Sequence, residues 1–106
     1  MCPRWQGENL EKNKQLVAKV EAMAKEKKVS TATLSLAWLQ TKAAGLGVQV
    51  LPIPGTTKLA HFKENYSSTN VVMSPEEMQA LEAIADAVAG PRGPDWYISS
   101  SFEAQK

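Results

Sequence analysis

One short apolar segment, residues 48–53 (VQVLPI), limits the folds open to this chain more than any other feature of its sequence. The segment is rich in β-branched residues and is bounded by Gly47 and Pro54, which predicts a β-strand. Both of its faces are apolar, a pattern typical of a buried parallel strand. No other segment convincingly predicts a strand, and a strand needs neighbours for its backbone hydrogen bonds. We therefore expect the partner strands to come from another chain, or the chain to be a piece of a larger protein.

The remaining periodic segments predict helices. Apolar residues recur at helical spacing in four places, over residues 9–28, 31–44, 58–67 and 75–89. The predicted order of elements is therefore helix, helix, strand, helix, helix. If the helices pack together, the residues expected to be most buried are Leu16, Val20, Leu34, Trp38, Leu81 and Ile84.

The fourth helix has the clearest boundaries. Ser74 is placed to cap it, Pro75 suits its first turn, and Glu77 completes a capping box. Gly90 and the proline after it favour an end to the helix. Residues 91–106 are predicted to form a flexible tail that carries Trp96, Tyr97 and Phe102.

Charge and cysteine content exclude several functional classes. The 106 residues include 12 basic and 11 acidic side chains, for a formal net charge of +1. This balance predicts neither nucleic-acid binding nor attraction to an anionic membrane. Cys2 is the single cysteine, which rules out an internal disulfide and favours a reducing compartment. No apolar run approaches the roughly 20 residues that span a bilayer, so we expect a cytoplasmic location.

The turn that follows the predicted strand is a candidate anion site. Gly55, Thr56, Thr57 and Lys58 lie between this strand and the start of the third helix. The free N–H groups of a helix N-terminus favour an anion, and the threonine hydroxyls and the lysine add donors and charge. In parallel α/β proteins such sites lie at the carboxyl ends of strands. The alternative is a glycine turn with a threonine cap and a surface lysine.

Three motifs of the chain resemble the C-terminal part of aldo-keto reductases. PIPGTTK is followed by KEN and comes after an AWL helix, PRWQGENLEKN lies near the start, and SPEEMQALEAIA lies near the end. The resemblance extends over residues 3–90. It implies an α/β fold class, the C-terminal fragment of a (β/α)8 TIM barrel, mostly helical with one strand. Residues 1–90 would be the barrel-derived part, and residues 91–106 the tail.

The resemblance implies that NADP(H) is the cofactor and that the turn binds its adenosine 2′-phosphate. Thr56 and Thr57 would donate hydrogen bonds to the phosphate, and Lys58 would supply the positive charge. One large branch of the family has a phosphate-binding lysine at the position of Gly55. In this sequence the charge must therefore come from Lys58.

Residues of the following helix are implied to contact the adenosine. His61 stands where the family often has an arginine against the adenine ring or phosphate, and histidine is only partly charged at neutral pH. Glu64 and Asn65 match the pair that hydrogen-bonds the adenine amino group. Trp5 is expected in the loop that borders substrate and cofactor. The alternative is that His61, Glu64 and Asn65 are ordinary surface residues of a short helix.

The sequence departs from the family pattern in its catalytic residues, none of which is matched here. The family uses a tyrosine, a lysine, an aspartate and a histidine from the first half of the barrel, and Tyr66 and Tyr97 match none of these positions. We assign no catalytic residue and no metal ligand. The expected function is that of the NADP adenosine-phosphate-binding portion of an NADP-dependent oxidoreductase that reduces carbonyl groups, inactive alone.

Two alternatives to an enzyme fragment remain at this stage. The first alternative is a non-catalytic binding or regulatory module derived from the aldo-keto reductase fold. The second is a small helical interaction domain. Besides NADP(H), the expected partners are the missing N-terminal portion of the barrel or another copy of the chain, bound through the exposed strand. Neither nucleic acid nor membrane is expected as a partner.

Overall fold

Helices form the regular structure of this chain. The computed structural model describes residues 2–100. The helices are α1 (Gly7–Glu26), α2 (Thr31–Gly45), α3 (Leu59–Ser67), α4 (Pro75–Asp86) and α5 (Asp95–Ser99), with 3-10 turns at Pro3–Trp5 and Ser68–Asn70. The four predicted helices are confirmed, and their ends lie within three residues of the predicted ones.

The second helix shows how the local sequence sets the boundaries. Ser30 caps its start, because the Ser30 hydroxyl accepts a hydrogen bond from the Thr33 N–H at 3.1 Å. At its end Gly47 adopts a positive φ of 68°, and the Val48 N–H donates to the Ala43 carbonyl at 3.0 Å. Glycine favours this left-handed conformation, which turns the chain out of the helix.

The predicted strand is absent, and the predicted α/β class with one strand is wrong. Residues 48–54 have no regular secondary structure, and no strand occurs within residues 2–100. No backbone-to-backbone hydrogen bond of the described part involves residues 49–57. The sequence pattern indicates β-propensity and a tendency to be buried. A strand forms only beside a neighbouring strand that can accept and donate its backbone hydrogen bonds. The described chain supplies no such neighbour.

The chain divides into two compact units. The central unit comprises residues 20–83. The terminal unit comprises described residues 2–19 and 84–100, and it includes α5 within the stretch predicted to be a flexible tail. Residues 101–106 of that tail lie outside the described part, so the boundary between a barrel-derived part and a tail stays a prediction.

The core of the central unit is small and partly built from alanine. Its buried apolar residues are Ala24, Leu34, Ala37, Ala43, Met73 and Leu81. The prediction of burial is confirmed for Leu34 and Leu81, whereas Leu16, Val20, Trp38 and Ile84 are only half-buried. The indole N–H of Trp38 is buried without a hydrogen-bond partner, which carries a desolvation cost.

Ion pairs join distant segments of the central unit. The Lys27 ammonium lies 2.9 Å from the Glu77 carboxylate and also donates to the Val72 carbonyl at 2.9 Å. Lys42 pairs with Glu82 at 2.6 Å. The first pair is the more shielded from solvent, so it contributes more to stability than the half-exposed second one.

The terminal unit is organised around Asn13, a polar residue that is only 5% exposed. Its amide group donates to the carbonyls of Arg4 (3.0 Å) and Ala89 (2.9 Å) and accepts from the Ala89 N–H (2.8 Å). The Arg4 guanidinium donates in turn to the Gly90 carbonyl at 3.0 Å. These bonds pair buried backbone groups, and they connect Arg4 and Asn13 with Ala89 and Gly90 after α4.

Candidate functional site

The turn of residues 55–58 is solvent-exposed and leads directly into α3. The Thr56 hydroxyl accepts from the Lys58 N–H at 3.1 Å, which closes a local turn of the serine/threonine type. This contact occupies one of the two hydroxyls that the sequence assigned to phosphate binding. Position 55 has no positive φ and no neighbour within 4 Å of an added Cβ, so the fold itself does not require glycine there.

The N-terminus of α3 is open. Lys58 occupies the capping position and makes no side-chain hydrogen bond to the helix. The N–H groups of Leu59, Ala60 and His61 have no acceptor within the part of the chain that the structure describes. These groups and the helix dipole create a positive potential at the turn, to which the Lys58 ammonium adds a full charge.

No acidic group of the described chain neutralises this turn by an ion pair. Residues 43–57 carry no charged side chain, and none of the described salt bridges involves Lys58. Because an unpaired cation beside open N–H groups can accept one anion without losing another interaction, the turn is chemically suited to a phosphate group.

The other predicted site residues lie further along α3. His61 is exposed, and Glu64 and Asn65 are half-buried. The Glu64 carbonyl accepts hydrogen bonds from the hydroxyls of Thr33 (3.1 Å) and Ser67 (2.6 Å). Spacings of three and four residues place His61, Glu64 and Asn65 on one side of the helix. No hydrogen bond of the described structure joins the side chains of the predicted set to one another, so their roles stay predictions.

A cavity of about 250 Å³ adjoins this helix. Asn65 is the one predicted site residue among those that line it. The lining is otherwise mostly apolar, and its members are Leu36, Gln40, Pro52, Pro54, Phe62, Asn65, Tyr66, Ser68 and Thr69.

Sequence reasoning missed the polar part of this cavity. The Gln40 amide donates to the buried Ser68 hydroxyl at 3.1 Å. The Phe62 and Tyr66 rings are nearly parallel, with centroids 6.5 Å apart. The available indication was Gln40 itself, a polar residue on a helix that is otherwise largely apolar at its centre.

The remaining candidates do not form a reactive cluster. Trp5 is exposed in the terminal unit, whereas Tyr66 lines the cavity of the central unit. Among residues 2–100, no three or more histidine, cysteine, aspartate or glutamate side chains are grouped so that they could hold a metal ion. No helix of this described region is both long enough and apolar enough to cross a membrane.

Comparisons with known proteins agree with the sequence motifs. The model of the aldo/keto reductase family matches residues 2–86. A curated protein from Glycine max, described as probable aldo-keto reductase 1, is 38% identical over 92 residues. That alignment covers 85% of this chain but 25% of the relative, so the chain spans about a quarter of the length of the curated relative it matches. No solved structure matches the chain significantly.

Proposed function

This chain belongs to the aldo/keto reductase family, and we propose that it is the C-terminal portion of such a reductase that binds the adenosine phosphate of NADP(H). The observation that carries the proposal is the open N-terminus of α3 behind an exposed turn with an unpaired lysine. The family match includes this turn and helix. Oxidoreductase ancestry and an anion-suited turn in the matched region therefore point to the same ligand.

The phosphate contact follows from the chemistry of the turn. The N–H groups of Leu59, Ala60 and His61 are available as donors, the Thr57 hydroxyl is exposed, and the Lys58 ammonium contributes charge. NADP differs from NAD by the 2′-phosphate of its adenosine. A site built on these donors therefore favours NADP over NAD.

The adenine contact is the next step of the proposal. Glu64 and Asn65 lie on the side of α3 that also carries His61, one to two helical turns beyond the phosphate turn. The Glu64 carboxylate is suited to accept from the adenine amino group, and the Asn65 amide to exchange hydrogen bonds with the ring edge. An exposed imidazole at position 61 stacks against a base or adds a donor near the phosphate.

We also propose that this chain does not reduce carbonyl groups by itself. When bound, NADPH supplies a hydride, but reduction also needs a positioned proton donor. Neither Tyr66 nor Tyr97 stands at the position of the family's catalytic tyrosine. We expect no NADPH oxidation above a heat-treated control when the chain is mixed with aldehydes or quinones. Turnover that tracks with the purified chain would contradict this expectation. The alternative remains a non-catalytic binding or regulatory module of the same family.

The cofactor assignment is tested by calorimetric titration with NADP⁺ and NAD⁺. We expect Lys58→Ala to remove most of the preference for NADP⁺. The lost contact is exposed, so we expect it to be worth about 1 to 2 kcal/mol, or about five- to thirtyfold in affinity. Lys63→Ala is the matched control, because Lys63 is an exposed lysine of the same helix. Equal affinity of the unmodified chain for both cofactors, or a preference that survives Lys58→Ala, would overturn the assignment.

A further inference from the structure

One face of α1 binds both the N-terminal turn and the segment that follows α4. Asn9 and Asn13 are four residues apart, so they share this face of the helix. The Asn9 amide donates to the Pro3 carbonyl at 3.3 Å, and the Asn13 amide donates to the Arg4 carbonyl at 3.0 Å. Asn13 also exchanges two hydrogen bonds with the backbone of Ala89. The same helix face therefore holds two segments that are distant in the sequence.

The two segments also contact each other directly. The Arg4 guanidinium donates to the Gly90 carbonyl at 3.0 Å, and the Cys2 thiol donates to the Arg92 carbonyl at 2.7 Å. The residue numbers rise on one side of these pairs and fall on the other, so the segments run in opposite directions. Neither segment can move away without breaking hydrogen bonds of the other.

Glycine at position 90 suits this close approach. Its φ is 83°, in the left-handed region that glycine favours. A Cβ added there would lie 2.6 Å from the side-chain nitrogen of Asn9 and 3.5 Å from the backbone nitrogen of Arg4. A larger residue would therefore strain the backbone and also displace the Asn9 amide. Conformation and packing at this position both depend on the contact between the two segments.

We propose that these contacts form a clasp, made of Asn13 and residues 2–4 and 89–92, through which the two segments become ordered together and are released together. Asn13 is its central positioning residue, because it bonds to both segments and is only 5% exposed. Removing its side chain takes this partner from the Arg4 carbonyl and from both backbone groups of Ala89. Buried polar groups are costly to leave unpaired, so both segments then regain hydrogen bonds to water by moving away from α1.

The clasp determines where aromatic residues near both ends of the chain lie. Trp5 follows the first segment directly, and Trp96 and Tyr97 come shortly after the second. A cavity of about 330 Å³ is lined by Cys2 from the first segment and by residues 92–94, Trp96 and Tyr97 from the second and its continuation. Because both segments contribute to its lining, this cavity exists only while the clasp is closed.

The clasp does not depend on the proposed cofactor site. Its members belong to the terminal unit, whereas the turn of residues 55–58 belongs to the central unit. Lys58→Ala should therefore leave the clasp closed, so that failure of one proposal can be distinguished from failure of the other.

The test is ¹⁵N relaxation of the full chain, which gives backbone order parameters. In the unmodified chain we expect values of about 0.8 at residues 4–5 and 90–92, near the level of rigid backbone. Asn13→Ala should lower both segments below about 0.6, the range of flexible backbone, while residues 14–19 of α1 stay rigid. Gln15→Ala is the matched control, because Gln15 is an exposed amide residue of the same helix. It should change neither segment.

Gly90→Ala tests the clasp from its other segment. The added Cβ should loosen residues 4–5 as well as residues 90–92. Gly47→Ala is the matched control, because it introduces the same kind of backbone strain at a φ of 68° with no atom within 4 Å of the added Cβ. The variant that combines Asn13→Ala with Gly90→Ala should be no more mobile than either single variant, since both open the same clasp.

Independent behaviour of the two segments would overturn the proposal. Mobility confined to one segment in Asn13→Ala would show it, and so would segments that both stay rigid. Segments that are already mobile in the unmodified chain would also contradict the clasp. If Asn13→Ala loosens α1 itself, Gly90→Ala decides by the same criterion, because it leaves the sequence of the helix unchanged.

Discussion

Two helices of the central unit begin in different ways. The start of α4 is closed by its own chain: the Glu77 N–H donates to the Ser74 hydroxyl at 3.2 Å, and the Ser74 N–H donates to the Glu77 carboxylate at 2.8 Å. Lys27 completes this arrangement from a distant segment. The start of α3 has a lysine at the capping position and no side-chain hydrogen bond.

This difference separates a structural helix start from one that is free to bind a ligand. The predicted capping box at Ser74 and Glu77 is confirmed, and it uses the donors of α4 for stability. At α3 the equivalent donors are unpaired, and the residue at the cap is a cation that cannot accept a hydrogen bond from them. We therefore propose that the start of α3 takes an anion as its partner, whereas the start of α4 already has the Glu77 carboxylate.

The largest effect is expected from opening the start of α4. Glu77→Ala removes the acceptor of the Ser74 N–H and the partner of Lys27, so we expect a loss of about 2 kcal/mol in the free energy of unfolding. Urea denaturation measures it. Glu77→Gln should lose less, because glutamine still accepts from Ser74. Glu21→Ala is the control, as Glu21 is an exposed glutamate of the same unit that takes part in none of the described ion pairs. Equal losses for Glu21→Ala and Glu77→Ala would contradict a structural role of this cap.

Acid should weaken the same helix start. The backbone N–H of Ser74, and then Lys27, hold the pKa of Glu77 below its ordinary value of 4.5. Because the folded state lowers this pKa, the stabilisation is fully present above 4.5 and is lost as the pH falls through the lowered value. We expect the urea concentration at the midpoint of unfolding to decrease as the pH is lowered from 4.5, and to decrease less in Glu77→Gln. An identical acid dependence in both proteins would exclude Glu77 as its cause.

A smaller effect is expected when α3 is given the kind of cap that α4 has. Lys58→Asp places a carboxylate where it can accept from the open N–H groups, so we expect a gain of about 0.5 to 1 kcal/mol in stability. NADP⁺ binding should be lost at the same time, because the carboxylate occupies the anion site. Lys63→Asp changes charge equally, but it lies within the helix and should give neither result. A Lys58→Asp variant that still prefers NADP⁺ would contradict the proposal that the start of α3, unlike that of α4, is open to an anion.

Local sequence rules accounted for the helices and failed for the predicted strand. The predicted Ser74–Glu77 box involves residues three apart, and so does the Ser30 cap that the structure shows, so both depend only on local sequence. The strand depended on hydrogen-bond partners that the described chain does not contain. Its β-branched and apolar residues instead lie in an exposed segment without regular structure.

Long-range side-chain contacts could not be predicted either. Asn13 bonds to Ala89, which is 76 residues away in the chain, and Lys27 reaches Glu77 across 50 residues. Nothing in the local pattern distinguishes Asn13 or Lys27 from other polar residues of a helical surface. The candidate phosphate turn could be proposed from the sequence because all of its residues are contiguous, and its binding role stays a prediction. The cavity beside α3 combines residues from three separate segments, so no local pattern indicates it.

The most direct test of the difference between the starts of α3 and α4 is an NMR titration of backbone amides with adenosine 2′,5′-bisphosphate. This ligand carries the 2′-phosphate that distinguishes NADP from NAD. We expect the largest shifts at residues 56–61, where the N–H groups of α3 are open, and little change at residues 74–77. Adenosine 5′-monophosphate should give weaker shifts at the same amides. Unmoved amides at residues 56–61, or equal shifts at the capped start of α4, would contradict the proposal that the open start of α3 is an adenosine-phosphate site.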